Sequence, residues 1–303
     1  MAQTDNHLVI MAGGVGGRFW PMSTADCPKQ FIDVLGVGRT LIQLTYDRFS
    51  GVVSADNVWV VTNQKYVSLV HEQLPEIPLN HILSEPCRRN TAPCIAYVSW
   101  RIKKENPKAN IVVSPSDHIV TNENEFKRVV SNCLKFTAET DAVVTLGMKP
   151  TRPETGYGYI QADLSTASAR NREIYRVDQF REKPDLETAE QYIKQSNFFW
   201  NAGIFIWSAS TIVNAFRIYQ PSVARVFERI IDVLGTAEEQ RIIDEVYPEC
   251  ENISVDYAIM ERAEEIFVCP ASFGWSDLGT WGSLLAQSQH DLYGNATIGK
   301  EIH

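Results

Sequence analysis

Leu8-Val9-Ile10-Met11-Ala12-Gly13-Gly14-Val15-Gly16-Gly17-Arg18 is the stretch that decides how this chain folds. Its apolar residues run without alternation, as in a strand covered on both faces, and open directly into glycines. Glycines there permit positive φ and let backbone N–H groups approach an anion closely. A tight strand-to-helix turn with no ligand is the alternative reading of the same residues. Two familiar phosphate loops can be tested. A Walker A loop ends in lysine and a hydroxyl residue, whereas Gly17 is followed by Arg18 and Phe19. A dinucleotide fingerprint needs a third glycine where Phe19 stands, and Pro21 spoils an immediate helix. No acidic residue closes the next apparent strand, Val58 to Thr62. Neither loop fits.

Outward from this segment, short apolar runs alternate with amphipathic ones. Strands are predicted at Leu8 to Ala12, Val58 to Thr62, Ile82-Leu83, Ile111 to Ser114 and Ala142 to Gly147. Helices are predicted at Leu41 to Phe49, Tyr66 to Leu74, Ala92 to Lys104 and Phe126 to Thr137. That alternation implies an α/β chain with right-handed crossovers and a mixed, mostly parallel sheet flanked by helices. In open sheets of this kind, ligands bind beyond the carboxyl ends of the strands. After Gly147 the rhythm changes. Extended segments are expected at Tyr157 to Asp163, Ile174 to Phe180 and Ala202 to Trp207. Helices are expected near Leu186 to Gln195, through Ile212 to Leu234 with a break at Pro221, and at Ala237 to Glu245. No linker rich in Pro, Gly or Ser interrupts the chain, so one continuous domain with a central insertion is expected.

The 303 residues, 44% apolar and 21% charged, are ordinary globular composition and can bury a sizeable core. A net charge of −9 argues against nucleic acid as a partner, yet a few placed cations can still hold an anionic substrate. The polar N-terminus lacks a secretory pattern, and no apolar run approaches the roughly 18 residues of a membrane helix. Six scattered cysteines form no CxxC pair. A cytoplasmic protein with reduced thiols is expected.

Downstream of the glycines, Arg18, Pro21 and Pro28-Lys29-Gln30-Phe31 keep the chain irregular and place two cations beside the loop. Backbone donors, a guanidinium and an ammonium suit a triphosphate with a pyrophosphate leaving group. Singly, such residues are ordinary surface charges. As a set, Gly13-Gly14-x-Gly16-x-Arg18-x-x-Pro21-x-Ser23 with Pro28-Lys29-Gln30-Phe31 resembles the signature of the nucleotide-sugar pyrophosphorylases. The PKQF form resembles their mannose-1-phosphate guanylyltransferase branch. The resemblance spans residues 8 to 285 and implies a Rossmann-like, glycosyltransferase-A-like nucleotidyltransferase fold.

Further motifs follow in the family's order. Glu85-Pro86-Cys87-Arg88-Arg89-Asn90-Thr91-Ala92-Pro93 leads into a helix, with Asn90 or Thr91 as its cap and Pro93 in the first turn. The resemblance makes Glu85, Asn90, Thr91, Ala92 and Pro93 a guanine-binding stretch, joined by Gly13, Gly14, Gly16 and Ser116. Glu85 could accept from guanine N1–H and N2–H together, donors that uracil and thymine do not offer as a pair. Asp117 in Ser114-Pro115-Ser116-Asp117-His118 lies just past a strand end, where a carboxylate suits Mg²⁺ but is also an ordinary turn residue. The family's metal site matches Asp117 and Asp277, the latter in Trp275-Ser276-Asp277-Leu278-Gly279. His118 reads as structural.

The sugar end is expected in Gly156-Tyr157-Gly158, Glu182-Lys183-Pro184 and Trp200-Asn201-Ala202. Sugar hydroxyls need carboxylates and amides, which Glu182 and Asn201 offer, while Lys183 offers a cation to a 1-phosphate. Gly158 belongs with them, and the resemblance adds Asp256 through Ser254-Val255-Asp256-Tyr257-Ala258. Two departures stand out: Gly17 where many members carry threonine, and Cys87-Arg88 where a glycine commonly precedes the run. Both bear on nucleotide affinity more than on chemistry.

The implied reaction is direct, in-line attack of mannose 1-phosphate on the α-phosphorus of GTP with Mg²⁺, giving GDP-mannose and pyrophosphate. Arg18 and Lys29 would stabilise the leaving pyrophosphate, and no general base is required. A different base or hexose phosphate is the alternative within the class; a non-catalytic sugar-nucleotide sensor is the alternative outside it. The expected organisation is a catalytic domain over 1–290, with a nucleotide half to about 150 and a sugar-phosphate half beyond. Residues 291–303 would begin a C-terminal tail or β-helix. A homodimer is the candidate assembly, with no membrane partner.

Overall fold

The computed structural model describes residues 5–14 and 19–279. Gly16, Arg18 and the tail 291–303 lie outside the described residues. The first half comprises β1 (Asn6–Met11), α1 (Leu41–Arg48), β2 (Val58–Asn63), α2 (Val67–Gln73), β3 (Ile82–Glu85), α3 (Thr91–Glu105), β4 (Asn110–Pro115), β5 (Ile119–Val120), α4 (Glu123–Thr137) and β6 (Val143–Met148). The second comprises β7 (Tyr159–Ser168), β8 (Asn171–Arg181), α5 (Leu186–Tyr192), β9 (Phe198–Ser208), α6 (Ala209–Tyr219), α7 (Pro221–Arg229), α8 (Glu239–Val246), β10 (Ile266–Ala271) and β11 (Trp275–Ser276).

A nine-stranded sheet runs β3-β2-β1-β4-β9-β6-β10-β8-β7. The block β3-β2-β1-β4 is parallel throughout, and β10 is parallel to β6. β9 runs against β4 and β6 and also pairs with β7. Alternate residues of β1 face two cores. Val9 packs with Trp59, Val61, Ile111 and the apolar face of α3, and Leu8 and Ile10 pack with Val60, Val112 and α4 residues such as Phe126. Both faces are covered, which is why the strand lacks period-two alternation.

The register decides where the site lies. Gly13, Glu85 and Ser116 leave the carboxyl ends of parallel strands at one edge of the sheet. Because β9 is antiparallel, its beginning is at that same edge, where Asn201 pairs with Gly147 at the end of β6. Tyr159 at the start of β7 pairs with Trp200 and with Arg181 at the end of β8. Residues 156–158, 181–183 and 272–279 therefore converge there too.

The predicted elements are present with changes of bounds; the helical stretch expected to reach Leu234 ends at Arg229, and β9 is longer than expected, so that Trp200 and Asn201 lie inside the strand rather than before it. β10 was not legible in the sequence. It is six residues long, follows the charged run Glu261 to Glu265 and carries Pro270, which the pattern of a central strand disfavours. Among the described residues no helix is long and apolar enough to cross a membrane.

Candidate active site

The first cavity, about 380 Å³, lies beyond β1 and β3 and is lined by Gly13, Gly14, Glu85, Arg88, Asn90 and Thr91 among others. Gln30 sets its rim: the amide nitrogen donates to the carbonyls of Ala12 (3.1 Å) and Gly14 (2.7 Å). Thr62 donates a further hydrogen bond to the Ala12 carbonyl at 2.9 Å. Asn90 caps α3, its side chain accepting from Thr91 N at 2.9 Å. Ala92 and Pro93 are buried in the first turn, and Ser116 is buried with its N–H on the Met11 carbonyl at 3.2 Å. None of these three lines the cavity.

Glu85 is 8% exposed, and burial pushes its carboxyl up to about pH 7, against the hydrogen bond from Tyr247 and the field of Arg88. The Tyr247 hydroxyl donates to Glu85 Oε1. The other oxygen, Oε2, lies 3.0 Å from where a Cβ on Gly13 would stand, so only glycine fits there without displacing the carboxylate.

At the centre, Lys29 is 5% exposed and donates to Asp117 Oδ2 (2.9 Å), the Asp277 carbonyl (2.9 Å) and the Leu278 carbonyl (3.1 Å). An ammonium has three N–H donors, and three oxygens receive them. Lys29 therefore ties the loop after β1 to the segment after β11. Asp277 Oδ1 accepts from the Tyr157 hydroxyl at 2.6 Å and from Gly279 N at 2.9 Å. His118 Nδ1 accepts from the Trp275 indole at 3.1 Å, a structural engagement. The described residues contain no group of three or more His, Cys, Asp or Glu placed to hold a metal. Asp117 meets Lys29 and the Asp277 carboxylate meets Tyr157 and Gly279; Mg²⁺ is usually held by one or two carboxylates together with substrate phosphates, which both residues could offer.

The second cavity, about 220 Å³, is lined by Tyr157, Gly158, Glu182, Lys183, Asn201 and Asp256 among others. It shares Met11, Thr91 and Pro115 with the first. Asn201 donates to Asp256 Oδ1 at 3.0 Å while its own Oδ1 accepts from Thr145 Oγ1 (2.9 Å) and Gly203 N (3.1 Å). The amide thus fixes Asp256 as much as it faces the cavity. Burial first, and then repulsion from Glu182, pushes the Asp256 carboxyl up to about pH 7. Lys183 pairs with Glu182 at 2.7 Å. A Cβ at Gly158 would stand 2.6 Å from Glu182 Oε2, so this glycine gives the carboxylate its place.

The non-glycine residues with positive φ among those described are Asn90 (65°), Lys183 (44°) and Leu278 (47°). Each belongs to one of the three clusters above, and such conformations cost about 1–3 kcal/mol, which surrounding structure must offset. At Asn90 that restraint comes from Thr91 Oγ1, which accepts from Val255 N at 2.9 Å, and from Ala92 N, which donates to the Ile253 carbonyl at 3.1 Å.

Three participants escaped the sequence reading. Gln30 and Tyr157 lie inside quoted motifs, so a search for side chains able to reach a glycine-loop carbonyl or a carboxylate could have found them. Tyr247 carries no local signal. It lies 162 residues from its partner, in a single turn after α8.

The geometry is matched by resemblance along the chain. The model of the family "Nucleotidyl transferase" matches residues 7–293. A mannose-1-phosphate guanylyltransferase of Escherichia coli (strain K12) is 36% identical, over 100% of this chain and 64% of its own length. Mannose-1-phosphate guanylyltransferase 2 of Escherichia coli O157:H7 is 39% identical, over 94% of this chain and 60% of its own. The chain thus spans a little under two thirds of the length of these curated relatives. A crystal structure described as mannose-1-phosphate geranyltransferase from Thermus thermophilus superimposes with a TM-score of 0.82 and 31% identity, covering 95% of this chain and 81% of that one. With its parallel block, its antiparallel β9 and the motifs gathered at one sheet edge, this chain belongs to the nucleotidyl transferase family.

Proposed function

We propose that the chain transfers GMP from GTP to α-D-mannose 1-phosphate, releasing pyrophosphate. The observation that carries the reading is the pair of adjoining cavities, which share Met11, Thr91 and Pro115 and differ in chemistry. The first offers a buried carboxylate, two arginines and a glycine loop, which suits a purine nucleotide. The second offers two carboxylates, an amide and a lysine, which suits a phosphorylated sugar. The names of the relatives support guanine and mannose in particular. The nucleotide half is assigned to residues up to about 150 and the sugar-phosphate half to those beyond, within a catalytic domain reaching about 290.

In this reading Glu85 meets the guanine edge, while Gly13, Gly14 and Gly16 bring backbone N–H groups to the triphosphate. Asn90 and Thr91 line the nucleotide cavity, and Ala92, Pro93 and Ser116, expected to contact the nucleotide, are buried outside its lining and would support it. Lys183 orients the 1-phosphate, and Glu182, Asn201, Asp256 and Gly158 define the sugar pocket. Arg18 and Lys29 supply positive charge for the pyrophosphate, with Lys29 also holding Asp117 against the 277–278 backbone. Asp117 and Asp277 would hold Mg²⁺, which screens the phosphate oxygens when bound. The attacking phosphate is already ionised near neutrality, so positioning and charge neutralisation carry catalysis. Six free thiols suit a reducing compartment, the cytoplasm, and a homodimer is the assembly proposed.

A matrix of nucleoside triphosphates against hexose 1-phosphates, scored by pyrophosphate release, tests this directly. GTP with mannose 1-phosphate should exceed every other pair in kcat/KM, by roughly tenfold or more. A maximum with UTP and glucose 1-phosphate would overturn the base and sugar assignment while leaving the transfer chemistry standing.

A further inference from the structure

Glu85 is a buried acid whose two oxygens have different surroundings. Oε1 receives the Tyr247 hydroxyl. Oε2 stands beside Gly13, on the cavity side of the carboxylate. Tyr247 itself is fully buried, edge-on to Tyr97 and Phe227 with ring centroids 6.3 Å away in each case. Burial also holds its phenol well above the usual range, so the hydroxyl keeps its proton and remains a donor. With the hydroxyl donating to Oε1, a proton bound by the carboxyl is favoured on Oε2.

We propose that Tyr247 is a specificity-determining positioning residue, which commits Glu85 Oε1 as an acceptor so that Oε2 alone switches between reading guanine and reading adenine. This rests on the reading that Glu85 meets the base. With Oε2 ionised, the cavity presents an acceptor to guanine N1–H and N2–H. With Oε2 protonated, it presents a donor, which guanine N1–H repels and adenine N1 accepts. Binding GTP therefore expels a proton from Oε2 to solvent in the fraction of molecules that carry one, and binding ATP does not.

The groups facing Glu85 give this switch its bias. Arg88 lowers the proton affinity of the carboxyl, and Arg89 adds positive charge to the same cavity wall. Cys94 on α3 interacts with Glu85 across the cavity lining, but burial holds its thiol well above the usual range and hence neutral. Cys250, beyond Tyr247, is likewise pushed up to about 12. Among these groups around the first cavity, the one whose protonation changes near neutrality is Glu85, held at about 7.

The test is the ratio of kcat/KM for GTP to that for ATP between pH 5.5 and 8.5, in which the triphosphate's own ionisation cancels. In the unmodified protein the ratio should fall as pH drops through about 7. In Tyr247→Phe, which keeps the ring packing, the midpoint of that fall should move to higher pH. The ratio at pH 8 should also drop roughly tenfold, with the loss mainly in KM for GTP. In Glu85→Gln the pH dependence of the ratio should vanish. A Tyr247→Phe profile superimposable on the parent overturns the positioning role. A Glu85→Gln protein with the parent's GTP preference overturns instead the reading that Glu85 meets the base. Calorimetry of the unmodified protein with GTP and with ATP, at pH 6.5 in two buffers of different ionisation enthalpy, needs no variant, and the triphosphate's own ionisation cancels in the difference. More proton release with GTP than with ATP is expected, and equal release overturns the switch.

Discussion

The two cavities both bury a carboxyl held near pH 7, yet they are built differently. Glu85 receives a hydroxyl and has arginines for neighbours, whereas Asp256 receives an amide and has a second carboxylate, Glu182, for a neighbour. The first cavity comes from contiguous segments that leave parallel strands. Beyond the residues shared with the first, the second cavity draws on distant stretches, at 156–158, 182–183 and 201–205 around antiparallel strands and at 255–256 where a helical turn opens. A site fed by parallel strands carries its chemistry in short motifs. One assembled across antiparallel strands depends on mutual support between side chains that are far apart in the chain.

The largest expected effect falls where both regions meet. Lys29→Ala removes an ammonium from three oxygens at once, and turnover should drop on the order of 10²–10³-fold. Steady-state kcat with saturating substrates measures it, and near-normal turnover would show that the tie is dispensable. Gly158→Ala sharpens the contrast, because the new methyl group must displace Glu182. KM for the sugar phosphate should rise about tenfold while KM for GTP barely moves. Equal changes in both would erase the division between the cavities.

Asp256→Asn gives the smallest effect and separates stability from function. The folded carboxyl keeps its proton up to about 7, against an ordinary aspartate value of 3.8. Between those values the native state binds more protons than the unfolded state, so this residue's destabilisation is greatest above pH 7 and fades as pH falls towards 4. Asparagine removes the charge and keeps an acceptor for Asn201. The melting temperature should therefore rise by about 2–4 °C at pH 8 and hardly change at pH 5, while sugar-phosphate affinity falls. A lower melting temperature at pH 8 would mean that the charge is compensated in the folded protein.

This contrast also explains what was legible in the sequence. β1 with Gly13 and Gly14, β3 with the Glu85–Pro93 run, and β4 with Asp117 follow local rules of periodicity, capping and strand ends, and the structure has these strands and the α3 cap where those rules put them. Asn201 was named, but its place inside β9 and its engagement with Thr145 depend on antiparallel register, which no local pattern encodes. β10 was missed because a charged approach and Pro270 obscure a strand whose burial is imposed by β6 and β8 on either side. Tyr247 was missed because nothing near it differs from an ordinary helix end; only the fold brings it to Glu85.

The start of α3 has one more consequence. Thr91 lines both cavities, and its side-chain hydroxyl oxygen accepts from the N–H of Val255, the residue next to Asp256. A ligand that stiffens this joint from one side lowers the ordering cost left for the other. Thermodynamic linkage then requires the benefit to be mutual: any factor by which a sugar phosphate tightens nucleotide binding is the factor by which the nucleotide tightens the sugar phosphate. One hydrogen bond between a threonine side chain and the backbone would thereby favour the ternary complex over either binary one, which would limit idle occupation of the protein by a single substrate.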